Sequence, residues 1–224
     1  MNSSVMEEKK PVERIYDPGI VGYIEALNFQ KKMHALVNEG ISGDVFIFLQ
    51  HPDVYTAGSH YSGDLSNAIK VNRGGYMTYH GPGQLVAYYI VNMKRRNINA
   101  LGLIKIIQDS IISLLEAYGI DGKPMLNEKT GVWVGDKKIC SIGIGIDRFT
   151  TMHGMGLNIS TDLKKFNVIN PCNFSPDIMT SMDNISGIKN DFNSVKEKFI
   201  DITKKNFEIE DCERYTSIGD TVTE

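Results

Sequence analysis

"NRGGYMTYHGPGQLVAYYIVNMK", residues 72–94, sets four glycines, a proline, a histidine and two tyrosines in front of a seven-residue apolar run. The run LVAYYIV has strand length and no polar interruption, which predicts a strand buried on both faces. The glycines before it admit two readings. Either they form a tight turn, or they let backbone lie against something other than protein, since no Cβ blocks the approach. His80 divides in the same way, between a packed, hydrogen-bonded ring and a working one.

Around this stretch the chain reads as one α+β domain. The pattern turns helical from Asp17, with Asp17 as cap, Pro18 in the first turn, Ile20, Ile24, Leu27, Met33, Leu36 and Val37 along one side, and Gly40 as the stop. DVFIFLQHP, residues 44–52, reads as an interior strand closed by Pro52. Residues 99–119 carry the strongest helical period, through Leu101, Ile104, Ile107, Ile111, Leu114, Leu115 and Tyr118, with Gly119 at the C-cap. TGVWVGDKKICSIGIGID and TMHGMGLNIS read as strands, GDKK being a hairpin turn. A short helix over 162–166 and an irregular INPCNFSPDIMTSM follow, then a last amphipathic helix carrying Phe192, Val195, Phe199, Ile202 and Phe207. The expected limits are a frayed segment at 1–14, a catalytic domain at 15–214 and a flexible tail at 215–224.

Bulk properties narrow the function. The 224 residues carry a formal net charge of −3, which speaks against nucleic acid or an anionic membrane surface as partner. The cluster Lys94, Arg95, Arg96 reads as a solvated strand end or, alternatively, a docking patch for an acidic protein. The N-terminus lacks the apolar core of a signal peptide, and no apolar run approaches the roughly 18 residues of a membrane span. Cys140, Cys172 and Cys212 form no CxxC pair, so neither a metal site nor a disulfide framework is expected. These features suit a cytosolic protein with reduced thiols and no bound metal.

Candidate chemistry is scattered. No GxxxxGK[ST] occurs, and GPG after His80 lacks the strand–turn–helix setting of a dinucleotide fingerprint. Gly74 and Gly75 could bring backbone N–H groups to a ligand carbonyl or a pantetheine-like arm. His34 lies on a helix, and His51 and His60 fall in a loop. His153 is followed by a glycine, as His80 is, so both could share one pocket. Cys140 sits in an apolar strand as a core residue, Cys212 lies near a polar tail, and Cys172 follows Pro171 in a loop that could expose its sulfur or leave it without a role. Lys137 and Lys138 face opposite ways along a strand, so one of them points inward.

Together these stretches resemble the octanoyltransferase, or lipoyl(octanoyl) transferase, family. Its signature R-G-G-x-x-T-[aromatic]-H-G-P-G-Q is matched throughout residues 73–84. LQHPDVYTAG at 49–58, GVWVGDKKICSIGI at 131–144, HGMGLNIS at 153–160 and INPC at 169–172 match further segments in order. The resemblance implies the biotin/lipoate ligase catalytic-domain fold: a mixed larger sheet, a smaller sheet and flanking helices. It implies octanoyl transfer from octanoyl-acyl carrier protein to a lysine of lipoyl domains, those of 2-oxoacid dehydrogenase subunits or glycine cleavage H protein, without a cofactor. By the same resemblance Cys172 is the nucleophile and Lys138 its partner. The substrate-binding stretches are Arg73, Gly74, Gly75, Tyr76, Met77, Thr78, Tyr79 and His80, then Ser141, Ile142 and Gly143, then Gly154, Met155 and Gly156. Two departures stand out: Asn173-Phe174 where glycine commonly follows the cysteine, and Gly156 where alanine is common, which is expected to enlarge what it lines. The rival readings are an ATP-dependent lipoate–protein ligase, transfer between lipoyl domains, and a non-catalytic acyl-protein-binding module.

Overall fold

The two apolar runs are the central strands. A computed structural model describes residues 11–169 and 176–219, and in it Val45–Gln50 (β2) and Gln84–Ile90 (β6) pair antiparallel at the middle of an eight-stranded sheet. On one side lie Glu13–Ile20 (β1) and Cys212–Tyr215 (β11), both parallel in their pairings. On the other lie Thr150–Asn158 (β10), Lys137–Asp147 (β9), Gly131–Val134 (β8) and Lys123–Met125 (β7), all antiparallel. The sheet is therefore mixed. A three-stranded sheet of Ile69–Lys70 (β4), Val54–Ala57 (β3) and Met77–His80 (β5) stands apart from it.

Both faces of the large sheet are covered, which is why its central strands carry no polar alternation. Phe46 and Phe48 of β2, with Leu85, Ala87 and Tyr89 of β6, face the helices Ala100–Glu116 (α2) and Phe192–Asn206 (α4). Val45, Ile47 and Leu49, with Val86, Tyr88 and Ile90, face the helix Tyr23–Asn38 (α1). Each fully buried Leu, Ile or Phe contributes roughly 1.5–3 kcal/mol, so strand and register are strongly specified. Asn99 caps α2 by accepting the Gly102 N–H at 2.8 Å. A short helix at Met182–Ser186 (α3) precedes α4.

The helix predicted from Asp17 is a strand as far as Ile20. Long-range pairing of β1 with β2 and β11 outweighs local helix signals, and Pro18 falls within an irregularity of the register between Tyr16 and Gly19. Asp17 caps nothing; its carboxylate accepts from Lys196 Nζ at 2.7 Å and Arg214 Nη2 at 3.0 Å. The buried stripe of α1 is Tyr23, Ala26, Phe29, Met33 and Val37, whereas Ile20 and Ile24 are exposed. Likewise Glu13 and Arg14, expected to fray, and Tyr215, expected in the tail, lie in strands. Tyr215 stacks on Tyr16 with centroids 4.8 Å apart.

Of the basic cluster Lys94 is exposed as expected of a strand end, but its two arginines are engaged. Arg95 and Arg96 both pair with the buried carboxylate of Asp44, and Arg96 also reaches Glu13 at 3.1 Å and lies over the rings of Phe46 and Phe207. Among the described residues no helix is long and apolar enough to cross a membrane.

Candidate active site

Arg73, Gly74, Gly75, Thr78 and His80 form one wall of a narrow cavity, and the β9–β10 ladder forms the other. Pairing sets Ser141 opposite Gly156, Ile142 opposite Met155 and Gly143 opposite Gly154. The two sequence stretches singled out beyond position 140 are thus cross-strand partners. The Gly74 N–H donates to Ile144 O at 3.0 Å, which ties the glycine-rich loop onto β9. Gly75 has φ +87°, a left-handed conformation that only glycine adopts at little cost.

The two-residue period of β5 divides the residues proposed to bind substrate. Thr78 and His80 face the cavity together with Arg73, Gly74 and Gly75. Met77 and Tyr79 point the other way, into the small core beneath the three-stranded sheet. There Tyr79 Oη donates to Asp53 at 2.6 Å. Tyr76 lines a second cavity, of about 440 Å³, which shares Gly74, Gly75, Ile142 and Gly143 with the first. Lys138 lines this second cavity, as do Ile104 and Ile144. Cys172 lies outside the described residues.

Lys138 is the inward member of its pair, 1% exposed, with Nζ 5.8 Å from the centroid of the Trp133 ring. Lys137 points outward and donates to Asp177 O at 2.8 Å. The Lys138 carbonyl accepts the Thr180 N–H at 3.0 Å, and Lys138 bridges to Met179. The chain that follows residues 170–175 is therefore stitched to the backbone of this lysine.

Arg73 is buried and donates through Nη2 to both Thr56 O and Thr56 Oγ1 at 3.0 Å. Its positive charge reaches Tyr23, His80, Tyr88 and His153. Burial, helped by this charge, holds His80 at a pKa of about 3 and His153 at about 4, so both rings are neutral. Burial also pushes Tyr23 up to about 12. The Cys140 thiol is driven far up by burial and is no thiolate, in keeping with its reading as core.

Two residues of the cavity, Tyr23 and Tyr88, were not singled out from the sequence. Tyr23 enters from α1 and Tyr88 from β6. His51, assigned to a loop, is fully buried and hydrogen-bonds Val21 O at 2.7 Å and Tyr88 Oη at 2.6 Å. His153 adopts φ +64° and shares the cavity with His80. Its N–H donates to Gln30 Oε1 at 2.9 Å and its Nε2 lies 2.8 Å from Asn72 Oδ1. Local sequence signalled His51 only through its place in LQHP, and Tyr88 through its step of two from Val86. Gly156 lines the cavity, and a Cβ there would sit 2.9 Å from Gln84 Oε1, so the glycine makes room for that amide beside His80.

The arrangement has known counterparts. The family model for the lipoyl protein ligase A/B catalytic domain matches residues 22–204. A protein of Picrophilus torridus named probable octanoyltransferase 2 is 56% identical over 196 residues, covering 88% of this chain and 80% of its own. An octanoyltransferase of a Thermoanaerobacter species is 42% identical over 199 residues, covering 82% and 85%. A solved lipoate-protein ligase A bound with ATP superposes with a TM-score of 0.75 at 15% identity, covering 92% of this chain and 90% of that one. The biotin protein ligase of Aquifex aeolicus gives 0.52 at 15% identity, covering 88% and 69%. These last two likenesses bear on the fold, which is the biotin/lipoate ligase catalytic fold expected from the sequence.

Proposed function

Because the chain belongs to the family of lipoyl protein ligase A/B catalytic domains and is an acyltransferase of the octanoyltransferase kind, we propose that it moves an octanoyl group from an acyl carrier protein thioester to a lysine of a lipoyl domain, through an acyl-enzyme on Cys172. The observation that carries this reading is the buried Lys138, whose side chain lines a cavity of about 440 Å³ alongside Ile104, Ile142 and Ile144. That volume falls within the usual range for small-molecule sites, and its isoleucines suit an alkyl chain.

The steps follow from ordinary thiol chemistry. An ammonium at Lys138 stabilises the Cys172 thiolate. The thiolate attacks the octanoyl carbonyl; a new C–S bond forms, the donor's C–S bond breaks, and the donor thiol leaves with the proton of Lys138. In the second half the acceptor amine attacks the acyl-enzyme. The C–N bond forms, the C–S bond to Cys172 breaks, and neutral Lys138 takes the proton the amine gives up. The other two cysteines are poor candidates. Cys140 is buried and un-ionised, and Cys212 lies on β11, at the edge of the large sheet opposite β7.

The ATP-dependent reading has one observation in its favour, the superposition on a ligase that binds ATP. The two are separated by supplying lipoyl domain with either octanoyl-acyl carrier protein alone or free octanoate with ATP. Octanoylation with the thioester alone supports transfer. Octanoylation only with octanoate and ATP overturns it.

A further inference from the structure

The hydrogens around His80 can be assigned without seeing them, because the chain of bonds ends on a backbone carbonyl. Asn158 Nδ2 donates to Thr180 O at 3.0 Å, so Asn158 Oδ1 is left to accept. It accepts from Gln84 Nε2 at 2.9 Å, and that same nitrogen lies 3.2 Å from the carbonyl of Tyr79. Gln84 Oε1 is therefore an acceptor, and it lies 2.6 Å from His80 Nδ1. A carbonyl oxygen cannot donate, so His80 carries its proton on Nδ1. The ring is neutral, so Nε2 keeps a lone pair. No group among the described residues bonds Nε2, and His80 lines the cavity.

The cavity also holds groups that can donate, the Arg73 guanidinium and the hydroxyls of Tyr23, Thr78 and Ser141, but further acceptors lie close to His80. His51 Nδ1 must donate to Val21 O, so its Nε2 accepts the hydroxyl proton of Tyr88, whose oxygen is left with lone pairs only. His153, 1% exposed on the same cavity, leaves Nδ1 without a partner. Nearby, the charge of Arg73 opposes any added cation at His80 or His153. The cavity is small, about 50 Å³. It offers acceptors, disfavours positive charge and has no room for a long chain.

We propose that His80 Nε2 is a preset acceptor for an uncharged N–H of the substrate, and that Gln84 and Asn158 are the positioning residues that preset it. This rests on the acyl-transfer reading above. In that reaction two groups bear such an N–H: the amine of the acceptor lysine once it has lost its proton, and an amide of the arm that carries the donor thioester. Thr180 links the device to the catalytic lysine, since its carbonyl anchors Asn158 while its N–H binds Lys138 O.

The test has two parts. In ¹⁵N-histidine-labelled full-length protein, the ring nitrogens of His80 should report a neutral imidazole protonated at Nδ1 from pH 8 down to pH 5. A ring protonated at Nε2, or one that titrates near the usual histidine value, overturns the proposal. Asn158→Ala should mix the tautomers while the protein stays folded by its melting curve. Single-turnover half-reactions then read the acceptor. His80→Asn keeps a donor for Gln84 but lacks Nε2, and should slow one half-reaction ~10- to 100-fold. His80→Gln, whose amide reaches the Nε2 position, should restore part of the loss. Loss confined to transfer identifies the lysine amine; loss already in acyl-enzyme formation identifies the amide of the donor arm. Unchanged rates in both halves overturn the proposal. Failure of the wild-type protein to form any acyl-enzyme would instead contradict the parent reading, and the imidazole spectrum would still decide the tautomer.

Discussion

His51 Nε2 lies 2.6 Å from Tyr88 Oη, and the direction of that bond is set by the opposite ring nitrogen, which can only donate to Val21 O at 2.7 Å. Tyr88 therefore gives its proton to His51. Tyr88→Phe leaves a fully buried ring nitrogen without a donor, at a cost of about 1–3 kcal/mol. Urea unfolding should record this as a lower midpoint with an unchanged slope. An unchanged midpoint would mean that the pair adds nothing.

Three neutral histidines sit together, His51 at about 4, His80 at about 3 and His153 at about 4, each lowered chiefly by burial. Since the unfolded chain binds protons near 6.5 and the folded one does not, stability is full above that pH and falls as the pH drops toward 4. The expected loss is on the order of 2 kcal/mol per histidine by pH 5. Melting curves between pH 7 and pH 4.5 measure it. A flat melting temperature across that window would contradict the assigned neutral state.

A Cβ at Gly154 would lie 2.1 Å from Ala87 O and 2.8 Å from Tyr89 Cδ2. Both neighbours belong to β6 and are fully buried, so neither can retreat. Gly154→Ala should destabilise by about 3 kcal/mol or more, and Met155 should shift with the ladder. Denaturation of the purified variant checks this.

Lys138→Met keeps an apolar stem beneath Trp133 and removes the charge. Its fold should survive by circular dichroism, while acyl transfer from octanoyl-acyl carrier protein should fall by ~10²- to 10⁴-fold. A variant that is folded and fully active would remove Lys138 from the mechanism.

Much of the fold was legible because its strongest elements are local. The residues of β2 and β6 read as strands from apolarity alone, and α2 from its period. What the local pattern hid was pairing between distant segments. Glu13–Ile20 carries helix-start residues yet is a strand because Val45–Gln50 and Cys212–Tyr215 hold it from both sides. Val54–Ala57 and Met77–His80 are short and sit among glycines and prolines, so each looked like loop until paired with the other. The site was legible in part for the same reason. Arg73, Gly74 and Gly75 announce themselves by composition, and the division of residues 77–80 between cavity and core follows from strand alternation. The roles of His51, Tyr88 and Gln84 are not legible from their own segments. Their significance lies in which atom each one's hydrogen bond leaves exposed, and that is set by contacts 30 to 74 residues away in the chain, such as His51 to Val21 and Gln84 to Asn158.

Transfer through an acyl-enzyme requires a covalent octanoyl group on Cys172. Intact-protein and peptide mass spectrometry after incubation with octanoyl-acyl carrier protein, without acceptor, tests it directly. The expected result is an octanoyl adduct on the peptide containing Cys172, released by hydroxylamine and absent from Cys172→Ala. An adduct that persists in Cys172→Ala, or transfer to lipoyl domain that proceeds undiminished in that variant, would contradict it.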